Sequence, residues 1–146
     1  MNKTLEQLLD DSPDAILAAD QEGVIRYWNS GAERIFGHGA DYALGKSLDI
    51  IIPENLRGRH WEGYRRVMAT GETKYKTGLL SAPGIDREGR RVSLEFSMVL
   101  LKNEDGTIAG SGSIMRNVTE QRNREVALRE RLKTCESELG QRDGRS

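Results

Sequence analysis

His60 is the side chain of this sequence best placed to do chemistry. It lies in IIPENLRGRHWEGYRRVMATG, where Leu56, His60, Gly63, Tyr64 and Val67 recur at helical spacing and share one face. Arg57, Arg59, Glu62, Arg65 and Arg66 fall largely on the other. An imidazole therefore stands where a leucine is expected. A histidine there is either a core residue satisfied by a carbonyl or hydroxyl, or a neutral ring whose lone pair is given to a metal. Haem iron is the usual metal for a lone histidine in an apolar pocket. The spacing alone leaves both open. Pro53 suits a first helical turn because it has no N–H to leave unpaired, and Gly71 suits the stop, so a helix is predicted between them, weakened at its start by Gly58.

No partner group completes a catalytic set around it. Ser81, Ser93 and Ser97 have no histidine motif nearby, and His38, in the Gly-flanked FGHGAD, reads as a helix exit, so enzymatic activity is not expected. Cys135 is the one cysteine and lies in the polar C-terminal segment. This rules out an internal disulfide, a cysteine metal cluster and a flavin–thiol adduct inside a core. Trp28 and Trp61 are able to stack on a flavin, but packing is their simpler role.

The 146 residues suffice for one domain with a core and a helical extension. Charged residues reach 31% and mean hydropathy is -0.63, a surplus of charge that the Arg-, Glu- and Gln-rich stretch from Thr119 onward absorbs. A net charge of -1 gives no basic field for nucleic acid. No apolar run approaches the roughly eighteen residues that a membrane helix needs. The opening MNKTLEQLLDDSPD is too acidic for a signal peptide, so a cytoplasmic location is expected.

In chain order, Leu5, Leu8 and Leu9 predict a short amphipathic lead-in helix over 1–12, ended by Ser12-Pro13. AILAAD and VIRYW, separated by Gln21-Glu22-Gly23, read as a hairpin. Asn29 and Gly37 bracket a short helix as N-cap and C-cap, and a further turn or two follows at 41–44. After Gly71 the period becomes two. A strand is expected over 74–80, with Ala82-Pro83-Gly84 interrupting it. Val92, Leu94, Phe96, Met98 and Leu100 alternate with polar residues as a strand with one buried face. Asn103 to Gly106 makes a hairpin turn into a last strand, where Gly110 and Gly112 leave room for a close approach. Asn117 and Glu120 resemble a capping box opening a helix over 118–140, and a disordered tail over 141–146 is expected. Leu128, Leu132, Cys135 and Leu139 form a heptad seam about two repeats long, which points to a homodimer through this helix.

The stretches DSPDAILAAD, YWNSGAERIFG, LGKSLDIIIP, ATGE, DREGRRVSLEFSM and RNVTE together resemble the Per-ARNT-Sim (PAS) domain over about residues 5–121. The resemblance implies an α+β fold for 13–117. Its parts are a five-stranded antiparallel sheet, short helices packed on one face, and a C-terminal coiled-coil helix. Asn117 departs from the family's usual aspartate; an amide still caps, but it lacks the charged half of a pair with a basic partner.

Within the family the Pro53–Gly71 segment is similar to the matching helix of oxygen-sensing haem PAS domains. That likeness implies haem b held by His60 as proximal ligand, in a pocket lined by Tyr64, Leu79, Leu80, Leu94, Met98 and Ile114. Leu79 and Leu80 stand where such sensors carry a polar or ligating distal group. An apolar distal side would favour carbon monoxide or nitric oxide relative to oxygen. Met98 and Met115 are alternative sixth ligands or core filler. The function implied is a sensor of a diatomic gas or redox state that signals through its C-terminal helix to another protein. The competing reading is a module that binds a flavin, fatty acid or other metabolite, or that only dimerises.

Overall fold

The computed structural model describes residues 2–72 and 78–143. Helix α1 (Lys3–Asp11) leads into strands β1 (Ala15–Asp20) and β2 (Ile25–Trp28), then helices α2 (Ser30–Phe36) and α3 (Ala40–Ala43). Two 3-10 turns, Leu48–Ile51 and Glu54–Leu56, deliver the chain to α4 (Arg57–Thr70). Strands β3 (Leu80–Ile85), β4 (Arg91–Lys102) and β5 (Ile108–Asn117) follow, and α5 (Thr119–Asp143) leaves the sheet. The strands form one antiparallel sheet in the order β2-β1-β5-β4-β3, so β5, the strand that feeds α5, is central. The α+β architecture expected from the sequence is the one found.

Register assigns the two faces. Ala15, Leu17 and Ala19 pair with Met115, Ser113 and Ser111, and Met115 and Ser113 pair in turn with Phe96 and Met98, which puts all of these on the inner face. Trp28 of β2 extends that face, and Ala32, Phe36, Ala43, Leu48, Ile51 and Tyr64 cover it from the helical side. Phe36 and Ile25 are fully enclosed, and each side chain so buried contributes on the order of 1.5–3 kcal/mol. Part of the outer face is apolar as well. Ile16, Ala18, Val99, Leu101 and Ile114 line a groove of about 300 Å³, to which α1 contributes Leu9.

Asn29 ties the first half of the chain together. Its Oδ1 accepts from the amides of Ala32 and Ile16, capping α2 and holding β1, while its Nδ2 donates to the carbonyls of Leu9 and Asp14. It is 3% exposed, and its bond to the Ala32 amide is made away from water. No residue of α1 is buried; the helix is held at its C-terminal end by such polar bonds.

Two boundaries differ from expectation. β3 runs through Ala82-Pro83-Gly84 rather than stopping there, because it is an edge strand, where a missing N–H costs no ladder bond. Gly84 is needed in it: a Cβ there would lie 2.7 Å from Leu94 Cδ1 and 3.3 Å from the Ile51 carbonyl. The part of the expected strand over 74–77 lies outside the described residues. α5 continues to Asp143, past the expected end at 140, and residues 144–146 also lie outside. Among the described residues no helix is long and apolar enough to cross a membrane.

Candidate ligand site on the inner face of the sheet

The 3-10 turn Glu54–Leu56 feeds α4, whose first turn has no side-chain cap. Arg57 compensates by donating to the carbonyls of Ile52 and Asp49, at 3.1 and 3.2 Å, which fastens the helix to the turn before it. At the other end Gly71 adopts a left-handed φ of 71° and its N–H closes on the Val67 carbonyl, the stop anticipated from the sequence.

Along the buried stripe of α4, His60, Trp61 and Tyr64 form an aromatic group. The His60 ring meets Trp61 edge-on at 4.7 Å between centroids and lies 5.7 Å from Tyr64. Trp61 donates its Nε1–H to Asp49 Oδ1 at 2.7 Å. Tyr64 donates its hydroxyl to the Asp20 carbonyl at 2.5 Å, and the same oxygen lies 3.3 Å from Ser111 Oγ on β5. Both neighbours are therefore anchored. Nδ1 of His60 is different: it is buried and has no hydrogen-bond partner among the described residues.

Burial lowers the His60 pKa from its ordinary value, against a weaker opposing pull from Asp49, so the ring is neutral at pH 7. Burial raises that of Tyr64, which stays a hydroxyl. A neutral imidazole carries one N–H and one lone pair. With one ring nitrogen buried and unpartnered, one of these is unanswered by the protein. A metal such as haem iron, or a hydrogen-bonding ligand atom, would answer it, and His60 is the residue that would hold it.

The expected lining divides. Leu94 is 4% exposed on the inner face, Met98 is half-buried there, and Leu80 is half-buried opposite Phe96 at the start of β3. Leu79 is 68% exposed, so it forms no distal wall. Ile114 is 50% exposed and faces the outer groove, because its neighbours Ser113 and Met115 take the inner face. Met115 sits in the core opposite Ala15 and Phe96, in the position of packing filler. The sequence reading missed Ser111 and Asp20 as partners of Tyr64, and Asp49 as the partner of Trp61. Their only local mark is the polar parity of GSGS in β5 and the aspartates closing β1 and opening the 3-10 turn.

An antiparallel sheet with one helix-covered face and a long helix leaving its central strand defines a sensory domain of signalling proteins. The chain belongs to the PAS family: residues 9–123 match the model described as the PAS fold. An uncharacterized protein of Azorhizobium caulinodans is 36% identical over 62% of this chain. The sensor protein FixL of Bradyrhizobium diazoefficiens is 34% identical over 47% of it. The matched segments span only 12% and 14% of those two relatives. Among solved structures, a PAS domain from Colwellia psychrerythraea superposes with a TM-score of 0.70 at 19% identity, covering 81% of this chain and 97% of that one, a likeness of fold.

Proposed function

We propose that this chain is a PAS sensor that binds haem b through His60 and signals as a homodimer through α5. The observation that carries the proposal is the buried Nδ1 with no protein partner, on a ring that burial keeps neutral. The resemblance of the Pro53–Gly71 segment to haem PAS helices supports it. Bound haem would supply an iron that takes a diatomic gas or changes oxidation state. His60 would hold that iron from α4. Trp61 and Tyr64 contact the ring from two sides, and Leu80, Leu94, Phe96 and Met98 would supply apolar side chains from the inner face of the sheet.

The route outward begins at β5. Val118 donates its N–H to the Ser93 carbonyl and Ser93 donates its own to Thr119 Oγ1, each at 2.8 Å, so the root of α5 is fastened to β4 as well. Asn117 Oδ1 accepts from the Thr119 amide and hydroxyl, at 3.0 and 2.6 Å. The amide thus does the capping expected of it, while Glu120 turns to Arg124 instead of closing a capping box. Beyond this root Leu128, Leu132 and Leu139 are each more than half exposed, which supports a second α5 as their cover.

The test is reconstitution with haemin: the wild-type protein should develop a Soret band that His60→Ala abolishes. A second reading is supported by the side chains already filling the inner face, Trp28, Phe36, Leu48, Ile51, Tyr64 and Met115. They favour a smaller occupant, such as an organic acid, or none. A protein that stays colourless with haemin while native mass spectrometry finds a bound metabolite would establish that reading instead.

A further inference from the structure

Among the described residues, Tyr64 alone joins α4 to the sheet by a side-chain hydrogen bond. Arg57 and Trp61 reach back to the 3-10 segment, and Thr70 bonds within its own helix. Tyr64 is also one turn beyond His60 on the same stripe and in ring contact with it. Its hydroxyl proton goes to the Asp20 carbonyl, so the contact to Ser111 must use the serine's proton, with Tyr64 Oη accepting. Asp20's carbonyl has a second donor, the Gly23 amide at 3.0 Å. Ser111, 5% exposed, has no other side-chain partner among the described residues, so it depends on the tyrosine.

Ser111 stands on the central strand, paired with Ala19 on one side and Leu100 on the other, six positions before Asn117 caps α5. β5 is hydrogen-bonded on both edges and so offers a contiguous route from Ser111 to the root of α5. We propose that the Tyr64 hydroxyl is the positioning link by which a change at His60 reaches β5 and the root of α5. This rests on the reading of His60 as the sensing residue, though not on which ligand it takes.

The test is a double-mutant cycle in the ligand-free protein, read by amide hydrogen exchange at Ser93 and Val118, whose N–H groups hold the α5 root to β4. His60→Ala should change exchange at these amides by about fivefold or more in the wild-type background and leave it unchanged in the Tyr64→Phe background. Tyr64→Phe keeps the ring and removes only the hydroxyl. Ser111→Ala, which leaves Tyr64 intact and bonded to Asp20, should uncouple the two sites in the same way. An equal effect of His60→Ala in all backgrounds, or no effect in the wild type, overturns the proposal. Because no haemin is added, the outcome is independent of haem binding, which a parallel Soret measurement on each variant reads separately.

Discussion

Trp61 lies against Gly23 so closely that a Cβ on the glycine would fall 2.1 Å from the indole ring. Gly23 also holds a left-handed φ of 79°, so both its backbone and its missing side chain are used by the β1–β2 turn. The contact closes one end of the site: Trp61 is pressed between this turn, Asp49 and the His60 ring.

Gly23→Ala should therefore cost roughly 2–4 kcal/mol, the sum of backbone strain and a displaced indole. Urea denaturation followed by tryptophan fluorescence measures it. A loss below about 0.5 kcal/mol would mean that Trp61 has somewhere else to go.

Asn29→Ala removes a helix cap and leaves the amides of Ile16 and Ala32 and the carbonyls of Leu9 and Asp14 short of a partner. The expected cost is about 2–4 kcal/mol in chemical denaturation. Asn29→Asp keeps both acceptor bonds but loses the donors to Leu9 and Asp14. Hydrogen exchange in it should rise selectively in α1, which has nothing else buried to hold it.

The His60 pKa is lowered in the folded state by burial, so the unfolded chain takes up a proton at higher pH than the native one. Stability from this residue is complete above its ordinary value of about 6.5 and is lost as pH falls from there toward the folded value. His38, lowered likewise by burial, acts in the same direction. In thermal melts of the haem-free protein, His60→Leu should flatten the acid side of the stability profile without removing the part due to His38. An unchanged slope would place the ring in water.

The exposed seam of α5 makes a further prediction. Wild-type protein should sediment as a dimer, and Leu132→Glu, which sets a charge in that seam, should weaken association at least about tenfold while leaving the domain's melting temperature nearly unchanged. Dimers that survive this substitution would place the main interface on another surface.

What the sequence revealed and what it hid follow from the range of the interactions. β1, the capped helix α2 and the alternating strand β4 depend on neighbours a few residues away, and AILAAD, Asn29 with Gly37, and VSLEFSM display them directly. Pro83 concealed β3, since a proline tolerated on an edge looks locally like a break. The face of Ile114 is hidden because GSGSIM puts Ile114 on the outer parity and its two serines on the inner one with Met115; only pairing with Leu17 and Met98, which fixes Ser113 inward, settles it. Within the site, His60 was visible from helical spacing. The bonds from Tyr64 span 44 and 47 residues, and that distance leaves no pattern to read.

The central claim is that His60 itself supplies a ligand to haem iron. Its most direct test is cavity rescue: His60→Gly reconstituted with haemin, with and without added imidazole, followed by absorption spectroscopy beside the wild type. The account predicts that the Soret band of the wild type is lost in the variant and restored by imidazole, which fills the vacated ring position. A variant that binds haemin as the wild type does, with a spectrum indifferent to imidazole, or a wild type that takes up no haemin, would contradict it.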